Sequence, residues 1–107
     1  MVLQELNQTA LDEIKKRLVK TYNPDAIYIL EPRGTESVDV GILVILTTAP
    51  LQDRFDLMAE GHKALIGVKI PKTILVYTKE EFEDYATDPS SLSFSIKNYG
   101  TCIYAKA

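Results

Sequence analysis

The stretch Tyr28-Ile-Leu-Glu-Pro-Arg-Gly-Thr-Glu-Ser-Val-Asp-Val-Gly-Ile-Leu-Val-Ile45 decides the fold, because it holds two apolar segments joined by a short polar loop. Its second segment predicts a strand over residues 38–47 whose two faces are both apolar, as is typical of a central, covered strand. Its first segment predicts a short strand over residues 26–30. The loop of residues 31–37 is too short for a helical crossover, so these strands should pair as an antiparallel hairpin.

Helical patterns lie on both sides of this hairpin. Apolar residues at helical spacing predict a first helix over residues 9–22. The segment Thr48-Ala-Pro50 predicts the start of a second helix, because proline is tolerated in a first turn. That helix is expected to bury one stripe of side chains, namely Leu51, Phe55, Met58, His62 and Leu65. A strand over residues 72–77 is predicted next, and it can run parallel to the strand before the second helix.

The last third of the chain predicts two short helices and a final strand. Thr78-Lys-Glu-Glu81 is a capping-box pattern, so a helix should follow it. Asp88-Pro89 predicts another helix that ends before Gly100, with Leu92, Ile96 and Tyr99 facing inward. Residues 101–105 are expected to form an edge strand or an extended tail. The order α-β-β-α-β-α-α-β therefore predicts one α/β (α+β) domain over residues 1–107, a small mixed sheet with flanking helices.

Composition narrows the function classes. The net charge of −3 gives no broad basic field that would attract nucleic acid. The single cysteine, Cys102, excludes an internal disulfide and a cysteine-built zinc site, and we expect it to be a small buried strand residue. No apolar run approaches the roughly 18 residues of a membrane span. The N-terminus lacks the pattern of a signal peptide, so we expect a cytoplasmic protein.

The motifs, in their order and spacing, resemble those of a minimal nucleotidyltransferase domain of the nucleotidyltransferase superfamily. Its signature loop is matched by Arg33-Gly34, and its metal-binding strand by Asp39 followed by an apolar run. The rest of the chain also follows the family pattern, through Pro24-Asp-Ala-Ile27, Lys72-Thr-Ile-Leu-Val-Tyr-Thr78, Glu80-Glu-Phe82, Asp88-Pro89 and Gly100-Thr-Cys-Ile-Tyr104. The resemblance implies a nucleotidyltransferase-like fold, with Arg33 and Gly34 at nucleotide-binding positions and Asp39 at a metal-binding position.

The same resemblance implies that most of the catalytic residues are missing. Family members hold Mg²⁺ with three aspartates, and the second and third of these positions are Gly41 and Thr73 here. The Gly-Ser turn that contacts the phosphates is also absent. Asp39, Gly41 and Thr73 are therefore expected to be vestigial positions, and no cofactor is expected, with Mg²⁺ required only by a residual activity. A lone carboxylate does not hold two divalent cations against water.

Other residues offer weaker candidates for a remodelled site. Glu31 and Glu36 lie on the loop beside Asp39 and could reach a cation, although solvated loop charges are the simpler interpretation. Arg33 could bind a phosphate as a planar fork or pair with one of these acids. His62 has no nucleophile nearby in the sequence, so packing is the simpler interpretation for it.

Three functions remain open. The first is a degenerate, catalytically inactive nucleotidyltransferase-fold protein that binds or regulates another protein; the family resemblance implies a helical HEPN-type partner and an antitoxin-like role in a prokaryotic two-gene module. The second is an active enzyme with a remodelled site that transfers AMP from ATP. The third is a self-associating structural protein that forms a homodimer through an exposed edge strand. No nucleic-acid or membrane partner is expected.

Overall fold

The computed structural model describes residues 7–32, 39–50 and 52–106, and these form four helices around one four-stranded sheet. The predicted element order and the mixed α+β class are confirmed. The helices are α1 Gln8–Tyr22, α2 Arg54–Ala64, α3 Lys79–Tyr85 and α4 Leu92–Tyr99, and the strands are β1 Ala26–Leu30, β2 Val40–Leu46, β3 Lys72–Thr78 and β4 Thr101–Ala105. In the described ranges, no helix combines the length and the apolar character needed to cross a bilayer.

The strands lie in the order β3-β2-β1-β4. β1 and β2 pair antiparallel, with Leu30 opposite Gly41, which confirms the predicted hairpin. β2 and β3 run parallel, as the α2 crossover between them allows. β4 pairs antiparallel with the outer side of β1 and is an edge strand, as predicted. β3 forms the opposite edge.

The sheet separates two apolar clusters. One contains Ile42 and Val44 of β2, with side chains of α1 and the residues that follow α2. The other contains Leu43 and Ile45 of β2, with Phe82 of α3 and Ile96 of α4. Because alternate residues of β2 enter opposite clusters, the strand is covered on both faces, as its sequence predicts.

The predicted inward stripe of α2 is only partly right. The helix begins at Arg54, because the Asp53 side chain caps it by accepting a hydrogen bond from the Phe55 N–H, and not at the Pro50 segment. Phe55 is 81% exposed and His62 is also exposed, so both were wrongly placed inward. Leu57 and Gly61 are the buried helical positions. Of the other predicted members, Met58 is half-buried, Leu65 is buried after the helix ends, and Leu51 lies outside the described residues.

The C-terminal helices agree more closely with the predictions from the sequence. Thr78 and Glu81 form the predicted capping box. α4 is capped by Ser91, and Ile96 is buried as expected, whereas Tyr99 is 59% exposed and not inward. Cys102 is exposed, contrary to the prediction of a buried residue, because it lies on the edge strand.

Candidate functional site

The structure brings Asp39, Gly41 and Thr73 together at one end of the sheet. Asp39 directly precedes β2, and Gly41 and Thr73 are register partners on the parallel strands β2 and β3. The Thr73 hydroxyl donates a long hydrogen bond of 3.4 Å to Asp39 Oδ2. The three positions that the family resemblance assigns to metal ligands are therefore neighbours in space.

Gly41 is packed beneath apolar side chains. A Cβ built on Gly41 would lie 3.4 Å from Leu30 Cβ and 3.4 Å from Leu92 Cδ1, so a methyl group would touch both side chains and a longer side chain would meet Leu92. Leu92 comes from the first turn of α4, which lies across β1 and β2. A carboxylate at this position would have to displace Leu92 or be buried against it.

The remaining polar groups at this end form a weak set of ligands. Asp39 is exposed and supplies carboxylate oxygens, while Thr73 supplies one neutral hydroxyl oxygen. The donor-to-acceptor distance of 3.4 Å between them lies at the long limit of a hydrogen bond. Mg²⁺ requires near-octahedral oxygen coordination, usually with carboxylates and phosphates among its ligands. Of the three family positions, only Asp39 supplies an anionic oxygen.

The loop that carries the other predicted residues is described only in part. Arg33, Gly34 and Glu36 lie outside the described residues, so their predicted roles stay predictions. Glu31 and Pro32, at the start of the loop, line an open cavity of about 370 Å³ together with the exposed Tyr99. A negative charge and a large exposed ring thus stand side by side at the end of β1.

Sequence reasoning missed a second cluster, which lies where β2 and β3 end. Asp25, Lys79 and Lys106 line one cavity there, over a floor that includes Tyr28 and Phe82. These residues are far apart in the sequence, and only the pairing of β1 with β4 brings Lys106 next to Asp25, whose backbone carbonyl accepts from the Lys106 N–H. Since no motif spans these positions, their spacing gave no signal.

One ionic contact supports the fold beside this cluster. Arg54 of α2 contacts both carboxylate oxygens of Glu81 at 2.6 Å and donates a hydrogen bond of 2.9 Å to the backbone carbonyl of Val76. Burial opposes ionisation of Glu81, but hydrogen bonds from the Thr78 N–H and from Arg54 outweigh it and lower the pKa of this carboxyl. Arg54 therefore ties α2 to β3 and to the start of α3.

The described residues contain no group of three or more His, Cys, Asp or Glu side chains arranged to hold a metal ion. The chain was also compared with known proteins. No family model, curated protein or solved structure matches it.

Proposed function

We propose that this protein is a degenerate nucleotidyltransferase-type module that has lost catalysis and acts by binding another protein. The observation that carries this proposal is the packing of Leu92 and Leu30 over Gly41, the position of the second expected carboxylate. An active site must keep that position open and polar, whereas here it belongs to the apolar interior. The motif resemblance is the reason for proposing the family. The packing over Gly41 is the reason for proposing that the activity is lost.

The proposed loss of nucleotidyl transfer follows from the ligands that two metal ions would need. In nucleotidyl transfer, the metal ions bridge the triphosphate and offset the charge that develops on the transferring phosphorus. Thr73 offers a neutral oxygen in place of the third carboxylate. Without two anionic ligands, the triphosphate and its metals would meet one exposed carboxylate, Asp39, and the nearby negative charge of Glu31. Both of these carboxylates would repel a polyphosphate.

The proposed partner is a protein, and the motif resemblance favours a helical HEPN-type protein encoded beside this chain in a prokaryotic genome. The binding surface is proposed around the loop of residues 31–37 and the adjoining cavity with Tyr99. Exposed aromatic rings are enriched at protein interfaces, and acidic groups such as Glu31 would steer a basic partner. In this proposal the protein is cytoplasmic and masks its partner in the manner of an antitoxin.

Co-expression tests the pairing directly. The chain and the neighbouring helical protein are produced together and analysed by size-exclusion chromatography with light scattering. One peak with the summed mass is expected, as is relief of any growth defect that the partner causes alone. Two peaks with unchanged masses at tens of micromolar protein would contradict the proposal.

A homodimer is the second candidate, favoured by a difference between the two edges of the sheet. The β3 edge is occupied by Arg54, which binds the Val76 carbonyl. β4, over Thr101–Ala105, carries no charged residue, and charges are a common means of preventing edge-to-edge pairing. Replacing Ile103 with proline should leave the mass at that of a monomer if β4 mediates self-association. A dimer that persists in Ile103→Pro would exclude this edge.

A further inference from the structure

A groove runs along the end of the sheet opposite to Asp39. Its first cavity, about 460 Å³, lies between the start of β1, the end of β4 and one side of α3. A second cavity of about 530 Å³ shares Lys79 and Glu83 with it and continues past Thr47. The parallel strands β2 and β3 both end here, and the carboxyl ends of parallel strands are the usual position of ligands in open α/β sheets.

The floor of the first cavity is aromatic. The rings of Tyr28 and Phe82 stack with their centroids 5.9 Å apart and their planes inclined by 24°. Ile45 extends this apolar floor beside them. An offset stack of this kind presents ring faces and edges against which a further planar ring can pack. The floor therefore suits a ligand with an aromatic or flat apolar part.

The rim of the same cavity carries charges of both signs, from Lys79, Lys106, Asp25 and Glu83. Within the described part of the chain, the side chains of Lys79, Lys106 and Glu83 form no ion pair and no hydrogen bond. Asp25 accepts a hydrogen bond of 2.6 Å from the Thr47 hydroxyl, which orients its carboxylate. Two cationic and two anionic groups thus surround one apolar floor, and three of them have unused capacity for a ligand.

We propose that this groove binds a small zwitterion with an aromatic side chain, of the α-amino acid class. The ligand's carboxylate lies between Lys79 and Lys106, its ammonium group lies between Glu83 and Asp25, and its ring packs on Tyr28 and Phe82. A cavity of about 460 Å³ is within the usual range for small-molecule sites. A polyphosphate is disfavoured, because Asp25 and Glu83 would face its negative charges. This site is separate from the Asp39 end and does not depend on the protein partner.

Titration of the ¹⁵N-labelled chain by NMR tests the ligand class. L-phenylalanine should produce saturable shifts confined to residues around Tyr28, Phe82 and Lys79. Three analogues each lack one feature: 3-phenylpropionate lacks the ammonium group, phenethylamine lacks the carboxylate, and L-alanine lacks the ring. Each should bind about tenfold more weakly or worse, because the first two analogues lose a charge-assisted hydrogen bond and L-alanine loses the packing on the aromatic floor.

Variants at the rim complete the test. Lys79→Gln and Glu83→Gln should each weaken L-phenylalanine binding about tenfold, while Lys63→Gln, an exposed lysine on α2, should leave it unchanged. All three positions are exposed, so the variants should fold, which their NMR spectra will show. The proposal is overturned by the absence of saturable shifts at millimolar L-phenylalanine, by equal binding of all four compounds, or by shifts centred elsewhere. Tighter binding of ATP than of L-phenylalanine in this groove would also overturn it.

Discussion

Leu92 of α4 covers Gly41 of β2 so closely that a Cβ on the glycine would lie 3.4 Å from Leu92 Cδ1. This contact joins the start of α4 to the N-terminal part of β2, next to the hydrogen bond between Thr73 and Asp39. Placing an aspartate at position 41 therefore changes the packing of the protein at this contact.

Gly41→Asp should lower the free energy of unfolding by about 3 kcal/mol or more, because it places an uncompensated charge against Leu30 and Leu92. Gly41→Ala is the size control and should stay within about 1 kcal/mol of the wild type, since its Cβ meets near-ordinary contacts. Urea denaturation measures both. Adding Leu92→Ala to Gly41→Asp should recover part of the loss by admitting water. If Gly41→Asp is as stable as Gly41→Ala, the position is not packed as described.

The same substitution predicts a dependence on pH. A carboxyl buried against leucine has a folded-state pKa above its unfolded value, so its ionisation opposes folding. The stability deficit of Gly41→Asp should therefore shrink as the pH falls towards the unfolded value of about 4. If the stability deficit of Gly41→Asp is the same at neutral pH as at about pH 4, the introduced carboxylate is exposed to solvent and not buried.

Tyr22 couples α1 to α2, because its hydroxyl donates a hydrogen bond to the backbone carbonyl of Leu57. Burial raises the pKa of Tyr22 from 10.0 to about 12. A raised folded-state pKa gives stability that is fully present below pH 10 and is lost as the pH rises through about 12. Tyr22→Phe should cost about 1 kcal/mol at neutral pH and flatten the alkaline loss of stability. Parallel stability curves for the two proteins in alkali would contradict this.

The Tyr22 hydroxyl also limits the size of the residue at position 61. A Cβ on Gly61 would lie 2.5 Å from the Tyr22 hydroxyl oxygen, although alanine is otherwise the better helix former by about 1 kcal/mol. Gly61→Ala should therefore destabilise the wild type, and its cost should be smaller in Tyr22→Phe, where only the contact with Ile74 at 3.2 Å remains. Denaturation of the two single variants and the double variant measures this coupling. Additive effects of the two changes would show that the hydroxyl does not limit the position.

Arg54→Ala should lower the free energy of unfolding by about 1–2 kcal/mol, since it removes hydrogen bonds to Glu81 and to the Val76 carbonyl. The lowered pKa of Glu81 gives stability that is present above its unfolded value of 4.5 and is lost as the pH falls through the folded value. The deficit of Arg54→Ala should therefore narrow in acid. A double-mutant cycle with Glu81→Gln isolates the ion pair, and a coupling energy of zero would assign the loss to Val76 alone.

Charge reversal at the loop tests the proposed partner surface. Glu31→Lys with Glu36→Lys should weaken binding of a basic partner and reduce the salt dependence of that binding. Glu80→Lys with Glu83→Lys makes the same change in net charge at the opposite end of the sheet, where these residues line the groove, and should change binding much less. Equal losses in both double variants would indicate a general electrostatic effect and not a surface around the loop.

The strands and their pairing could be predicted from the sequence, because the period-two apolar pattern of residues 38–47 and a loop too short for a crossover leave few arrangements. The buried face of α2 could not be predicted from the sequence. The helix packs closely on β3 at Gly61, where a Cβ would meet Ile74 at 3.2 Å. A glycine gives no hydrophobic signal, so the apolar pattern directed attention to Phe55, which is 81% exposed.

The arrangement of the candidate site around Asp39 could be predicted only in part. The placement of Asp39 beside Thr73 follows from parallel pairing of β2 with β3, which the connection between them suggests. The cover over Gly41 depends on where α4 crosses the sheet, and no pattern in the sequence specifies that crossing. The groove with Lys79 and Lys106 likewise needs the position of β4, which joins the sheet next to β1.

The proposed loss of catalysis is tested most directly by transfer of label from α-labelled ATP, with Mg²⁺ present and the chain itself or its co-expressed partner as acceptor. We expect no labelled protein, with the wild type and Asp39→Ala giving the same background. Label that accumulates with the wild type and disappears with Asp39→Ala would contradict the inactive assignment and show that Asp39 still serves a working site.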